Sequence, residues 1–288
     1  MTTDKTAESK RPTLGVVAIS KNEETDLPGF ISHLEPWVDE IIIVDDGSTD
    51  DTLRILENDD SQVKLVEQLM DPESGFAGQR NRGIKETKSD WLLHMDIDER
   101  VPPDLASEML EAISNNYFHA FRYHRLNFFL HRPMKAGGFA DWNNPHLARR
   151  GLHHFENAVH ETCIIEDDSA AIGQLKARMW HLNDASYKER MGKSFVYCQN
   201  QSKRLVARGL KIKWYHLLFL PMIEFLYKFI LKQGFRDRTP GLLFAIHAAC
   251  AMFRACALVW DRQNPKRRDN IEKIIGEMWV SADIDAKK

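Results

Sequence analysis

EIIIVDDGSTD, residues Glu40 to Asp50, packs three features into one short stretch. A β-branched apolar run, Ile41 to Val44, ends in two adjacent acids, Asp45 and Asp46, and passes through Gly47 and Ser48 into DDTLRILEN, whose spacing predicts a helix. Gly47 suits a turn, Ser48 or Thr49 suits an N-cap, and acids in the first helical turn face the positive end of the helix dipole. A run with no polar alternation belongs to a strand covered on both faces, as in a parallel sheet. An ordinary strand-turn-helix junction accounts for Gly47, Ser48 and Asp50, but it gives no reason for Asp45 and Asp46 both to precede the turn.

The same unit recurs on either side. Upstream, LGVVAIS (Leu14 to Ser20) reads as a second buried strand, joined to the first by TDLPGFISHLEPW, a helical pattern that Thr25 or Asp26 can cap. Downstream come QVKLVEQ as a strand, FAGQRNRGIKETK as a helix and WLLHMD as a further strand. Strand and helix alternating at this spacing predict a doubly wound α/β sheet, whose ligands bind beyond the carboxyl ends of the strands. WLLHMDIDER (Trp91 to Arg100) puts three more carboxylates, Asp96, Asp98 and Glu99, on that rim. In an extended chain residues i and i+2 point the same way, so Asp96 and Asp98 share a side. Oxygen ligands so placed suit a hard divalent cation such as Mn2+ or Mg2+. A lone Asp-x-Asp is also what a solvated strand end produces.

Beyond this point FHAFRYHRLNFF predicts a strand with a polar face, AGGFADWNNPH a loop, and LARRG a short strand. HHFENAVHETCII is a polar stretch in which His153 and His154 read as loop residues and His160 as a packed core histidine.

Length and charge frame the rest. A chain of 288 residues can bury one sizeable core and carry an appendage. Cys163, Cys198, Cys250 and Cys256 form no CxxC pair, so neither a zinc knuckle nor a disulfide framework is indicated, and a reducing cytoplasm fits. The N-terminal MTTDKTAESKRP has no apolar core, so residues 1–12 are expected to be a disordered tail and not a secretory signal. Residues 1–202 carry 22 basic and 34 acidic side chains, a net of −12, whereas 203–238 carry 9 and 2, a net of +7. The acidic part suits a metal or a neutral substrate, the basic segment suits an anionic surface, and no nucleic-acid partner is expected.

From Ala185 the pattern is helical. WYHLLFLPMIEFLYKFIL (Trp214 to Leu231) and GLLFAIHAACAMFRACALVW (Gly241 to Trp260) approach membrane-spanning length. Glu224 and Lys228 interrupt the first, His247 and Arg254 the second, and Pro221 falls near the middle of the first. A charge at the bilayer centre costs roughly 2.5–3.5 kcal/mol, so an in-plane seat on the anionic inner face of the cytoplasmic membrane is favoured over spanning. The alternative is a pair of core helices packed on each other or on a second copy in a homodimer.

SKNEE (Ser20 to Glu24), VDDGSTD (Val44 to Asp50), GFAGQRNRGI (Gly75 to Ile84) and WLLHMDIDER occur in the order found in family 2 glycosyltransferases, and over its first hundred or so residues the chain resembles that family. The resemblance implies a GT-A nucleotide-diphospho-sugar fold over residues 13–200, followed by a basic and apolar helical region over 201–288. It implies a UDP-sugar donor, with Asp45 and Asp46 at the nucleotide, Glu23 beside the same pocket, Arg80 near the donor diphosphate and Asp96 on ribose or sugar hydroxyls. Asp98 would bind Mn2+ or Mg2+, and His181 would complete the metal site. NAVHETCII, Trp180-His181-Leu182 and FLYKFILKQGFRDRTPGLLFA are similar to the bacterial lipopolysaccharide-core glucosyltransferase branch, which implies a glycan or glycolipid acceptor. NPHLARRG departs from that branch in having no acid where a P-D/E-x-Q-x-R-like segment is common. Inverting transfer needs a base, and Glu161 is the candidate. The rivals are a nucleotide-sugar-binding protein without catalysis, a glycosyltransferase of the same fold acting on a different acceptor such as protein or another cell-envelope polysaccharide, and a sugar nucleotidyltransferase. SKNEETDLPG offers no Gly-rich triphosphate loop for the latter.

Overall fold

The computed structural model describes residues 11–57, 63–115, 117–139, 142–158, 161–166, 171–184 and 186–281. The chain forms two compact units, Met1–Ala185 and Ser186–Lys288. The boundary expected after residue 200 falls inside a helix of the second unit. Residues 1–10 of the expected tail, and His160, lie outside the described residues.

In the first unit β1 (Leu14–Ser20), β2 (Glu40–Asp45), β3 (Val63–Glu67) and β4 (Trp91–Asp96) are the strands expected from their apolar runs. They lie parallel in the order β3-β2-β1-β4. Their burial alternates between two cores. Val16, Ala18, Ile41, Ile43, Trp91 and Leu93 face α1 (Leu27–Leu34) and α4 (Pro103–Ile113), while Val17, Ile42, Val44 and Leu92 form the core on the opposite face. Ile84 of α3 (Gly75–Glu86) packs against that second core. Two covered faces explain why β1, β2 and β4 are mostly apolar, whereas β3, at the sheet edge, exposes Lys64 and Glu67.

The sheet continues through β8 (Asn143–Arg149), β6 (Phe118–Phe129), β11 (Ala171–Asp184) and β5 (Glu99–Arg100), with β7 (Arg132–Pro133) on β6. β8 runs antiparallel between β4 and β6, so β4, β6 and β11 share a direction. A short α2 (Thr52–Glu57) follows β2. β9 (His153–Glu156) and β10 (Thr162–Ile165) form a separate hairpin, so His153 and His154 lie on a strand and not in a loop. α3 starts at Gly75, whose φ is +52° and where a Cβ would meet the Ala158 carbonyl, so only glycine admits this approach.

The second unit is helical: α5 (Tyr187–Ala207), α6 (Trp214–Leu226) running into a π turn (Tyr227–Leu231), a 3-10 turn (Gly234–Asp237), α7 (Arg238–Gln263) and α8 (Arg268–Ser281). Pro221 is accommodated within α6. Leu205, Ile212, Ala255, Cys256 and Val259 make a small core, with Leu217 and Leu220 against it. The two apolar stretches therefore do pack on each other. Trp214, Leu218, Ile223, Leu231, Leu243 and Phe253 nonetheless remain exposed.

Candidate active site

The register brings three strand ends level. Ser20 pairs with Asp45 across β1–β2, and Ile19 pairs with Asp96 across β1–β4. A cavity of about 450 Å³ opens beyond them, lined among others by Lys21, Glu23, Asp46, Asp96, Asp98 and His181. Asp46 and Asp98, 52 positions apart in the chain, thus share one cleft.

The two adjacent acids of β2 have different tasks. Asp45 is fully buried, and its carboxylate accepts from the Ser20 hydroxyl at 2.6 Å and from the Ser48 amide and hydroxyl at 2.7 and 2.6 Å. It ties the turn to β1 and does not line the cavity, so the donor contact expected of it is replaced by a structural one. Asp46 points into the cavity, accepting from the Met70 amide at 2.5 Å and from Lys21 Nζ at 2.7 Å. Burial pushes its pKa up, but these two donors outweigh burial and hold it below the usual carboxylate range. Lys21 escaped the sequence reading, although its place directly after β1 puts it on the functional rim.

Asp96 lies between two guanidinium groups, with Arg80 at 2.5 Å on one oxygen and Arg125 at 3.0 Å on the other. Burial alone would raise its pKa, yet Arg80 and Arg125 hold it well below the ordinary value. Arg80 is 1% exposed and also bonds Glu161 at 3.1 Å and the Met95 carbonyl at 3.3 Å. It stands behind Asp96 and is absent from the cavity wall, so the direct diphosphate contact expected of it becomes a buried clamp on two carboxylates. Glu161 is held on that clamp, which places it next to the site but outside the cavity lining.

Glu99 is the third acid of WLLHMDIDER, and it is completely buried. It accepts from the Asp96 amide at 2.9 Å and faces Arg125 Nε at 2.5 Å, close enough for ion pairing but without hydrogen-bond alignment. Burial pushes its pKa up to about 7, against the pull of Arg125. Arg125 in turn lies 3.9 Å over the Trp142 ring. Glu99 and Arg125, 26 positions apart, thus hold Asp96 in place. No local sequence signal announces that pairing.

β11 delivers His181. Its antiparallel pairing with β5 sets His181 opposite Glu99, and the Leu182 amide donates to the Asp98 carbonyl at 2.9 Å. His181 Nε2 lies 3.1 Å from Asp98, and Nδ1 lies 2.8 Å from Asn127 Oδ1. Burial pushes the His181 pKa down, but the Asp98 contact outweighs it and the net shift is upward. Asp96, Asp98 and His181 each offer a ligand atom within 4.8 Å of the others. Two carboxylates and an imidazole, open to a cleft, fit Mn2+ or Mg2+ with room for oxygen ligands from a substrate. A cation taken here would replace the proton shared by Asp98 and His181.

Behind the site His94, His146 and His153 are buried together. His153 Nδ1 donates to the Arg149 carbonyl at 2.8 Å, so its Nε2 accepts from His94 Nε2 at 2.7 Å. Burial holds all three below the ordinary histidine pKa, so they act as neutral packing groups.

Residues 15–163 match the family described as Glycosyl transferase family 2. The chain belongs to that family. It is a glycosyltransferase with a GT-A-like α/β fold, and the rim of acids on β2 and β4 is its candidate active site. Among its relatives, an uncharacterised glycosyltransferase of Rickettsia conorii is 28% identical over 82% of this chain and 85% of its own length. The lipopolysaccharide core biosynthesis glycosyltransferase LpsC of Rhizobium meliloti is 26% identical over 90% of this transferase and 96% of itself. Solved structures similar to the transferase include S. aureus TarS 1-349, with TM-score 0.44, 14% identity and coverage of 89% and 93% of the two chains. Glucosyl-3-phosphoglycerate synthase of Mycobacterium tuberculosis, in complex with Mn2+, UDP-glucose and phosphoglyceric acid, gives TM-score 0.33 and 24% identity, over 39% of this chain and 43% of that one.

Proposed function

We propose that the protein is an inverting, metal-dependent transferase that moves glucose from UDP-glucose to a hydroxyl of a lipid-linked or lipopolysaccharide-core glycan. The observation that carries this reading is the convergence of Asp46, Asp96, Asp98 and His181 on one cleft beyond the carboxyl ends of β1, β2 and β4. Asp46, with Glu23 and Lys21 beside it, sits where a nucleoside would lie against the end of β2. Asp96, oriented by Arg80, Arg125 and Glu99, is placed for ribose or sugar hydroxyls. Asp98 and His181 would hold Mn2+ or Mg2+, which when bound neutralises charge on the departing nucleoside diphosphate.

Glu161 is the proposed base. It takes the proton of the acceptor hydroxyl as that oxygen bonds to the anomeric carbon, and the bond from that carbon to the diphosphate breaks on the opposite face. Its anchorage on Arg80 ties the base and Asp96 to one guanidinium. The lipopolysaccharide-core acceptor is supported by the LpsC relative, whose match covers 90% of the chain. Membrane association is supported by two helical stretches, Trp214–Leu231 and Gly234–Gln263, that are long and apolar enough to cross a membrane and largely unburied, and the charged Glu224, Lys228 and Arg254 within them favour a peripheral seat on the cytoplasmic face over spanning.

The test is turnover of UDP-glucose, beside other UDP-, GDP- and dTDP-sugars, with Mn2+ or Mg2+. Asp98→Ala should lower transfer by about 10²–10³-fold, the loss expected for removing a preorganised electrostatic group, with the fold intact by circular dichroism. Unchanged turnover and metal dependence would remove the metal assignment. UDP binding with Mn2+ but no turnover with any donor would favour a binding protein over an enzyme.

A further inference from the structure

In the helical unit three elements turn one side each toward a cavity of about 220 Å³. α5 contributes Arg190 and Ser194 one turn apart, α6 and its π turn contribute Glu224 and Lys228 one turn apart, and α7 contributes Phe244. Lys228 Nζ lies 5.8 Å from the centres of both the Phe244 and Tyr227 rings. The Arg190 guanidinium lies 5.6 Å from the Phe244 ring centre. Behind the wall, Arg254 donates to Ser194 Oγ at 3.0 Å, while its Nε is buried with no hydrogen-bond partner among the described residues. Neither Lys228 nor Arg254 makes an ion pair among the described residues.

Two cations, Arg190 and Lys228, and one carboxylate, Glu224, therefore line a small cavity in the most apolar part of the chain, with Arg254 behind its wall. Cations held among rings and aliphatic helices lose hydration, and an anion that several of them share restores it through charge-assisted hydrogen bonds. Glu224 adds a complementary demand, because a carboxylate in the wall accepts from a hydroxyl or ammonium group attached to that anion. The apolar residues next to the lining ones, Ile223, Tyr227 and Leu243, are exposed and offer a seat for acyl chains.

We propose that this cavity binds the phosphate of an anionic membrane phospholipid whose headgroup carries a hydrogen-bond donor, such as a glycerol hydroxyl. Arg190 and Lys228 hold the phosphate, Glu224 takes the donor, and the chains lie along the exposed side of α6 and α7. The proposal rests on the membrane-seated reading of the helical unit and names the lipid chemistry it recognises.

Short-chain lipids below their aggregation point test the cavity without a bilayer. Dihexanoyl-phosphatidylglycerol should raise the melting temperature of the full chain, and it should do so more than dihexanoyl-phosphatidylcholine or inorganic phosphate. Lys228→Gln should weaken that binding about tenfold or more, Lys211→Gln on the exposed surface should leave it unchanged, and Glu224→Gln should erase the preference over the choline headgroup. Equal affinity in wild type and Lys228→Gln would overturn the proposal, as would equal protection by a neutral hexyl glycoside. Protection by inorganic phosphate that the acyl chains do not improve would overturn the lipid source and leave a free-phosphate site. Loss of monomeric lipid binding with vesicle flotation intact would overturn the cavity alone and leave the membrane reading in place.

Discussion

In the α/β unit Ile42, Trp91 and Leu93 are wholly enclosed, whereas in the helical unit Trp214, Leu218 and Leu231 are 71, 61 and 72% exposed. The charge divides along the same boundary: residues 1–185 carry 19 basic and 33 acidic side chains, a net of −14, and residues 186–288 carry 20 and 9, a net of +11. One unit therefore uses its apolar side chains to close a core and its acids to build a site. The other presents apolar side chains and cations outward together. Exposed apolar area on this scale marks a surface made for contact, and the accompanying positive charge fits an anionic bilayer.

Stability should separate the units most sharply. Trp91→Ala removes a wholly buried ring that packs on Phe121, with Arg149 4.8 Å over it, and should cost about 3–5 kcal/mol in urea denaturation. Leu218→Ala should stay within about 0.5 kcal/mol in the absence of lipid, as expected of a surface position. Comparable losses at the two positions would mean that the helical face is covered in solution, as a second copy would cover it.

The next contrast is functional. Glu161→Gln should abolish transfer while UDP-sugar affinity stays within about threefold, because its carboxylate is held outside the donor cavity. Parallel loss of binding and turnover would make Glu161 a support for Arg80 and Asp96 and no base. In the other unit, Lys211→Glu should weaken flotation with phosphatidylglycerol vesicles about 30-fold, since each basic residue near such a surface contributes about 1 kcal/mol and the reversal counts twice, about 2 kcal/mol in all. Binding should fall with salt. Absence of flotation at low salt would take the membrane out of the comparison.

The smallest effect concerns pH. His146 is neutral in the fold because burial and the nearby Arg80 and Arg125 hold its pKa well below 6.5. The unfolded chain takes up that proton below about pH 6.5, so it binds more protons than the folded chain there, and stability falls as pH drops. His146→Phe should reduce the loss in melting temperature between pH 7.5 and pH 5, leaving the shares due to His94, His153 and His33, the last with a pKa that burial lowers to about 4. An unchanged difference would show that His146 has no part in the acid response.

The first four strands, α1 and α3 were readable because each carries its own periodicity within a dozen residues. β11 was not read, since register shifts between Gln174 and Arg178 and between His181 and Asp184 interrupt its alternation. α4 carries Leu105, Met109 and Ile113 at helical spacing after two prolines, a legible signal that the reading passed over. The strands around His153 and Thr162 are four residues each, too short for any period to register.

The sequence alone determined the α/β class and the rim of acids, because strand periodicity and the position of Asp46, Asp96 and Asp98 at strand ends are local properties of the chain, and the order of four short motifs carried the resemblance to the family. Only the tertiary structure decided that Asp45 ties a turn while Asp46 lines the cleft, that Arg80 is a buried clamp, and that Glu99 and Arg125 hold Asp96. It alone decided that the apolar helices α6 and α7 leave Trp214, Leu218, Ile223, Leu243 and Phe253 exposed although they pack on each other. Each of these depends on which distant residues arrive beside a given side chain, and burial, pairing and pKa follow from those neighbours.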